Sequence, residues 1–217
     1  DYKHLLLSPL SQRSGLVDLI SQEIKNAKKG LPAEIQLKCN NLVDENLVQM
    51  LYEASSAGVR IRIICRGMMS LVAGVKGISE NIEAISIVDR FLEHPRVYVF
   101  HNNGDPKYFI SSADLMTRNI DYRVEVSTPI YDSALQKELQ DILDIQWCDN
   151  VKARLLDSSQ RNHYRKIKMN GRARSQEMIH QYFEDGVLPT RIKHARDRMR
   201  KALIKSAKAR ARHLSKK

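Results

Sequence analysis

Arg66 ends an apolar run, Val59–Cys65, and Gly67 follows it at once. A guanidinium at that point offers fixed, forked N–H donors matched to phosphate oxygens, beside a glycine that lets a ligand approach the backbone. Pairing with a carboxylate at a sheet edge is the equally weighted alternative. His94 sits in Phe91-Leu92-Glu93-His94-Pro95-Arg96-Val97, just before another strand-like run. An imidazole there can give a proton or a hydrogen bond to a phosphate oxygen. On its own, a lone histidine before a strand is more often a surface or capping residue. Lys38, Asn40 and Asn41 cluster where a further strand should end, and Arg118 with Asn119 follows the segment Ser111-Ser112-Ala113-Asp114. Such groups line an anionic pocket or serve as turn residues and caps, and their spacing leaves both readings open. Glu93 and Asp114 form no evident acid/base pair, because nothing in the sequence fixes their separation. The remaining histidines, His4, His101, His163, His180, His194 and His213, read as structural or solvated.

The elements that must position these groups alternate short β-branched runs with longer helical patterns, the mark of βαβ units around a buried sheet. Strands are predicted at Leu5–Leu7, Ile35–Leu37, Val59–Cys65, Ile85–Val88, Val97–Phe100, Tyr108–Ser111 and Arg123–Ser127. Leu16, Leu19, Ile20 and Ile24 keep helical spacing, with Gly30 as the stop. Asp44 reads as the N-cap of a helix carrying Leu47, Met50, Leu51 and Ala54, and Leu135 to Trp147 as a further amphipathic helix. The fold class is α/β: a mixed β-sheet flanked by helices, followed by a basic, helical C-terminal tail. Ligands in open α/β sheets lodge where strands end, which is where Arg66, Lys38 and His94 fall.

With 217 residues, 36 Lys plus Arg, 25 Asp plus Glu and a net charge of +11, the chain can bury a sizeable core. The charge is uneven. Residues 1–160 carry 18 basic and 21 acidic side chains; residues 161–217 carry 18 and 4. The body therefore shows no excess that would make the whole chain a specific nucleic-acid binder. The shift marks a boundary, with a domain over 1–160 and a basic, mainly helical extension over 161–217. In that extension Ile192, Ala195, Met199, Ala202 and Leu203 fall on one helical stripe among basic residues. Such a helix suits an anionic membrane, a nucleic acid or another polyanion. A solvated extension that docks weakly on the body is the favoured reading. Three cysteines, odd and unpatterned, argue against a disulfide framework and against zinc, and point to a reducing cytoplasm. No segment reads as a signal peptide or a membrane span.

Several motifs are missing: a GxxxxGK[ST] loop, a GxGxxG turn after a strand, HExxH and GxSxG. His94-Pro95-Arg96 and Ser111–Asp114 resemble the HxK and G-S-x-N segments of the phospholipase D superfamily, in which paired histidines from two half-sites transfer phosphoryl-type groups through a phosphohistidine. The longer strings SPL, KCNNLVDENLVQMLYEASSAGVRIRIICRG, GVKGISENI, SIVDRFLEHPRVYVF, SSADLMTRNIDYRVEV and DNVKARLLD resemble polyphosphate kinase of the long, multidomain class. The likeness runs from about residue 1 to about residue 165, and more weakly to about residue 183.

The resemblance implies a phospholipase D-like sandwich, the C-terminal domain of an enzyme that reversibly transfers the terminal phosphate of ATP to inorganic polyphosphate. It implies that Arg66 and His94 contact phosphates of ATP and that His94 assists the transfer; Lys38 and Arg118, read from their positions alone, are expected to help bind ATP or polyphosphate beside them. The phosphate-accepting histidine of the family belongs to the preceding domain, so this portion alone is expected to be inactive. Magnesium is implied as a companion of ATP, held mainly by that preceding domain. Implied partners are ATP or ADP, polyphosphate, the preceding domains and further copies of the intact enzyme, in the cytoplasm or in peripheral contact with the inner face of the membrane. The alternatives are a phospholipase D-like hydrolase acting as a dimer and a non-catalytic polyanion-binding module.

Overall fold

The computed structural model describes residues 2–167 and 169–215. An eight-stranded sheet runs through its middle. The strands are β1 (Leu6–Ser8), β2 (Glu34–Cys39), β3 (Arg60–Cys65), β4 (Ile82–Ser86), β5 (Arg96–Phe100), β6 (Lys107–Ser111), β7 (Glu125–Ile130) and β8 (Arg154–Leu155). They lie in the order β1-β7-β6-β5-β2-β3-β4-β8. β2, β3 and β4 are parallel to one another, and every other pair of neighbours is antiparallel. The helices are α1 (Gln12–Lys28), α2 (Glu45–Ser56), α3 (Ser133–Trp147), α4 (Ser175–Asp185) and α5 (Thr190–Leu214).

Period-two alternation assigns the two faces. Ile35, Leu37 and Cys39 of β2, with Ile61, Ile63 and Cys65 of β3, join Leu16 and Ile20 of α1 and Leu47 and Leu51 of α2 in one core. Ile64, Val97, Val99 and Tyr108 point the other way, against Leu143 and Trp147 of α3. Burying each such large apolar side chain contributes about 1.5–3 kcal/mol. The second face also carries polar side chains, and these are paired. Arg62 reaches Glu34 at 2.7 Å and Asp144 at 3.6 Å, and Gln36 donates to Gln140 at 3.3 Å.

The basic tail is not a weakly docked, solvated extension. Ile192, Ala195, Leu203 and Ala207 of α5 are buried, and Arg196 pairs with both Asp141 and Asp144 of α3. Met199 accepts from Arg60 through its carbonyl at 3.0 Å and from Arg62 through its sulfur at 3.2 Å. An apolar stripe flanked by a cation that answers two buried carboxylates gives the helix a fixed seat, which its net charge alone did not reveal. Among the described residues, no helix is long and apolar enough to cross a membrane.

Strand register decides what meets at one end of the sheet. β2 and β3 end side by side, Cys39 opposite Cys65, so Asn40 and Arg66 leave the sheet together. β5 runs back along β2 with Lys38 opposite Val97, which sets the start of β5, and Arg96, beside the end of β2. Arg96 pairs in turn with Ser111, the end of β6. Four stretches of chain, the ends of β2, β3 and β6 and the start of β5, are thereby delivered to one end of the sheet. Their loops are then sewn together through the backbone: Gly67 N–H donates to Asn40 O at 2.7 Å, Leu42 N–H to Met68 O at 2.8 Å and Leu115 N–H to Asn41 O at 3.1 Å.

Candidate active site

Asp114 is the hub of this end of the sheet. It is 5 % exposed and accepts from the backbone N–H of Asn40 at 2.8 Å and of Asn41 at 3.2 Å, and from the Asn41 side-chain amide at 3.0 Å. Arg96 donates to it through Nε at 3.3 Å. Burial pushes the carboxyl up, but the hydrogen bonds from Arg96, Asn41 and the backbone of Asn40 outweigh it and hold the group below the usual carboxylate range. Asp114 is thus a fixed anion, spent on its neighbours.

From this hub two side chains are held at one end and left open at the other. Arg96 extends a terminal nitrogen to Nδ1 of His94 at 3.0 Å and to the His94 carbonyl at 3.1 Å. Asn40 accepts from Nε of Arg66 at 2.6 Å. Among the described residues, the two terminal nitrogens of Arg66 make no hydrogen bond or ion pair. Asn40 is buried, and its Nδ2 has no acceptor among the described residues. Arg66 and His94 are therefore joined through Asn40, Asp114 and Arg96, a relay from β3 to β5 whose Asn40–Asp114 step runs through the Asn40 backbone N–H. Asn40, Asp114 and Arg96 matter here as much as the two residues that the sequence singles out. Arg96 stands two places after His94, and that spacing was the one available signal for it.

Gly67 has a different task from the one its position suggests. A Cβ there would stand 2.6 Å from Asn41 Oδ1 and 2.7 Å from the Asn40 carbonyl oxygen, so the glycine allows the loops after β2 and β3 to close on each other.

Lys38 is buried, and its ammonium is engaged. It pairs with Glu93 at 2.5 Å and donates to Gln146 of α3 at 3.0 Å, while Gln146 also donates to Glu93. Burial draws its pKa below the ordinary lysine value, against the opposing pull of Glu93. Lys38 acts from beneath the site, tethering the residue just before His94. The same loop is fastened by α4. Gln176 accepts from the Phe91 backbone N–H at 2.9 Å and donates to the Phe91 carbonyl at 2.8 Å and to Glu93 at 3.1 Å. Arg174, just ahead of α4, grips Asp89 at 2.7 Å. His94 itself is exposed on this loop.

Arg118 lies on a π-helical turn, Arg118–Tyr122, on the same end of the sheet, exposed and outside the relay. Asn119 beside it is buried and donates to Glu125 at 2.8 Å, a structural role. Among the described residues, no group of three or more His, Cys, Asp or Glu side chains could hold a metal ion. The carboxylates near His94 do not suit magnesium, since Asp114 is committed to Arg96 and amides and Glu93 to Lys38.

Residues 5–176 match the family model described as polyphosphate kinase C-terminal domain 2. The chain belongs to the polyphosphate kinase family. It is 54 % identical over 184 residues to the polyphosphate kinase of Vibrio vulnificus strain YJ016, an alignment covering 85 % of this chain and 26 % of that one. Against the polyphosphate kinase of Escherichia coli K12 the identity is 50 % over 183 residues, 84 % of this chain and 27 % of that one. The crystal structure of polyphosphate kinase from Porphyromonas gingivalis superposes with a TM-score of 0.83 at 40 % identity, over 86 % of this chain and 28 % of that one. The chain thus spans about a quarter of the length of the polyphosphate kinases it matches. Nuc from Salmonella typhimurium, a phospholipase D family member, is 15 % identical with a TM-score of 0.50 over 71 % of this chain and 97 % of that one. The fold is the phospholipase D-like sandwich that the sequence resemblance implied.

Proposed function

We propose that this domain forms one wall of the phosphotransfer cleft of a polyphosphate kinase, moving the terminal phosphate of ATP reversibly to inorganic polyphosphate. Arg66 grips a phosphate with the two terminal nitrogens that its Nε contact leaves open, and Arg118 adds a second, exposed cation on the same end of the sheet. Phosphoryl transfer needs its non-bridging oxygens neutralised and its reactants held in line, and fixed guanidinium donors supply both. A phosphate oxygen would also satisfy the buried Nδ2 of Asn40.

The observation that carries the reading is the hydrogen bond from Arg96 to Nδ1 of His94. A guanidinium can only donate, so Nδ1 accepts and the ring proton resides on Nε2. An Nε2–H group is a donor, suited to a phosphate oxygen and unsuited to attack on phosphorus. His94 therefore serves as a hydrogen-bond donor to a phosphate oxygen, and the nucleophile comes from outside these residues. Magnesium enters as the companion of the ATP phosphates, because the carboxylates here have no free ligand capacity.

The test is an assay of the 217-residue chain for ATP formation from ADP and polyphosphate. The expected result is phosphate-chain binding with no turnover. Robust turnover would overturn the division of labour and make His94 the nucleophile.

A further inference from the structure

The family match ends at residue 176, and α5 begins at Thr190. This helix brings much of the excess positive charge of the chain, yet nothing in the relay around Asp114 uses it. Its inward face is occupied by Ile192, Ala195, Leu203 and Ala207. On the opposite face Arg198, Lys201, Lys205, Lys208 and Arg212 follow one another at spacings of three or four residues, and all are exposed. At 1.5 Å per residue they form a line about 21 Å long, roughly one cation per turn. Among the described residues, none of the five makes an ion pair, and Asp197 is the only acidic residue of the helix.

Packing keeps this line straight and fixed. Arg196 is locked to Asp141 and Asp144 at one end. At the other, Arg210 donates to the Leu31 carbonyl at 3.1 Å, and Ala211 rests on Gly30. A flexible basic tail would pay for ordering each side chain and its backbone when a polyanion bound, whereas a docked helix presents its charges already aligned.

We propose that the outward face of α5 binds a linear polyphosphate chain, at a site separate from the phosphotransfer cleft. The choice of polyphosphate rests on the function proposed above; the geometry of the site does not. The apolar side of α5 is turned into the body, and only Ile204 and Leu214 remain as large exposed apolar residues, too little to enter a lipid interface. A row of evenly spaced ammonium and guanidinium groups complements a flexible chain with a charge on every repeat. The helix also runs away from the cleft. Arg210 and Ala211 stand over Gly58 and Gly30, which precede β3 and β2, whereas Arg66 and Asn40 follow those strands. A long product chain could thus be retained on α5 while its end reacts elsewhere.

The experiment measures binding of fluorescently labelled long-chain polyphosphate to the 217-residue chain over a range of salt concentrations. The triple variant Lys201→Gln, Lys205→Gln, Lys208→Gln is expected to bind at least about tenfold more weakly, with the salt slope reduced by about 2, as for three lost phosphate contacts on a single strand. The variant Lys201→Arg, Lys205→Arg, Lys208→Arg is expected to bind as the parent does, and tripolyphosphate, too short to span the row, to be indifferent to both. Turnover of an intact polyphosphate kinase carrying this domain tests the phosphotransfer reading separately, so the failure of one reading is distinguishable from the failure of the other. Unchanged affinity and slope in the glutamine variant would overturn the proposal. So would a single-stranded RNA of equal charge that binds α5 more tightly than polyphosphate.

Discussion

A terminal nitrogen of Arg96 lies 3.0 Å from Nδ1 of His94, while Nε of the same guanidinium lies 3.3 Å from Asp114. One planar group thus ties the imidazole to a buried anion anchored on the loop after β2. Among the described residues, no carboxylate bonds to the imidazole, so Arg96 alone orients it. A carboxylate on Nδ1 would hold the proton there and leave Nε2 free to attack, whereas Arg96 imposes the opposite tautomer.

That arrangement predicts unequal effects at the two positions. In an intact polyphosphate kinase carrying this domain, His94→Ala should lower kcat by about 10²-fold or more, the range for a lost donor to a developing oxyanion. Arg96→Lys keeps the charge but cannot reach His94 and Asp114 together, so it should lower kcat by about tenfold or more through misplacement of the ring. Steady-state kinetics in the direction of ATP synthesis check both. An Arg96→Lys enzyme with parental kcat would show that the imidazole needs no such orientation.

Lys38 and Glu93 give a second prediction, on stability. Lys38→Met leaves Glu93 without its cation in a largely enclosed position, and should cost about 3–5 kcal/mol. The double variant Lys38→Met, Glu93→Gln removes both charges and should recover a large part of that loss. Urea unfolding of the two variants and the parent measures the difference. Equal stabilities of the single and double variants would mean that Glu93 is solvated rather than held by Lys38.

Much of the scaffold was legible because it is local. The run Val59–Cys65 forms β3, and Asp44 caps α2 by accepting from Leu47 N–H at 3.0 Å. The tie between Arg66 and His94 was not legible, because Asn40, Asp114 and Arg96 are brought together only by the registers of β2 with β5 and of β5 with β6. Boundaries shifted for the same reason. The strand expected at Ile85–Val88 runs over Ile82–Ser86, since Ile82 pairs with Ile61 of β3. β7 extends to Ile130 through Pro129, beyond the reach of β1, where a missing N–H breaks no ladder bond on that side. β8 is two residues long, too short to show any period.

Glu23 sets a pH dependence that lies away from the site. It is fully buried on α1 and accepts from the backbone N–H groups of Glu34, at 3.1 Å, and Asn102. Burial pushes its carboxyl from the ordinary 4.5 up to about 7, although those two N–H groups pull the other way. Between these values the native chain holds more protons than the unfolded one, so this group's contribution is complete below the lower value and is lost as pH rises through the upper one. The loss amounts to about 3 kcal/mol in order of magnitude. Glu23→Gln cannot ionise, and its urea midpoint should fall less between pH 5 and pH 8 than that of the parent. Parallel curves for the two proteins would remove Glu23 from the account.

The seat of α5 can be probed with two glycines that share a backbone conformation and differ in surroundings. Gly30 has φ +72°, and a Cβ on it would come within 2.7 Å of Cα and Cβ of Ala211 on α5. Gly186, which ends α4, has φ +65° with open space around it. An alanine at either position bears the left-handed strain, about 1–2 kcal/mol. Only Gly30→Ala must also lift the end of α5, since backbone atoms on a helix cannot give way as a side-chain tip can, and that overpacking adds about 1–3 kcal/mol. Gly30→Ala should therefore unfold at lower urea than Gly186→Ala, and amide exchange at the C-terminal end of α5 should quicken in the first variant alone. If the two variants match in both measurements, the last turns of α5 are not held against Gly30, and the rigid row of cations on its outer face loses that anchor.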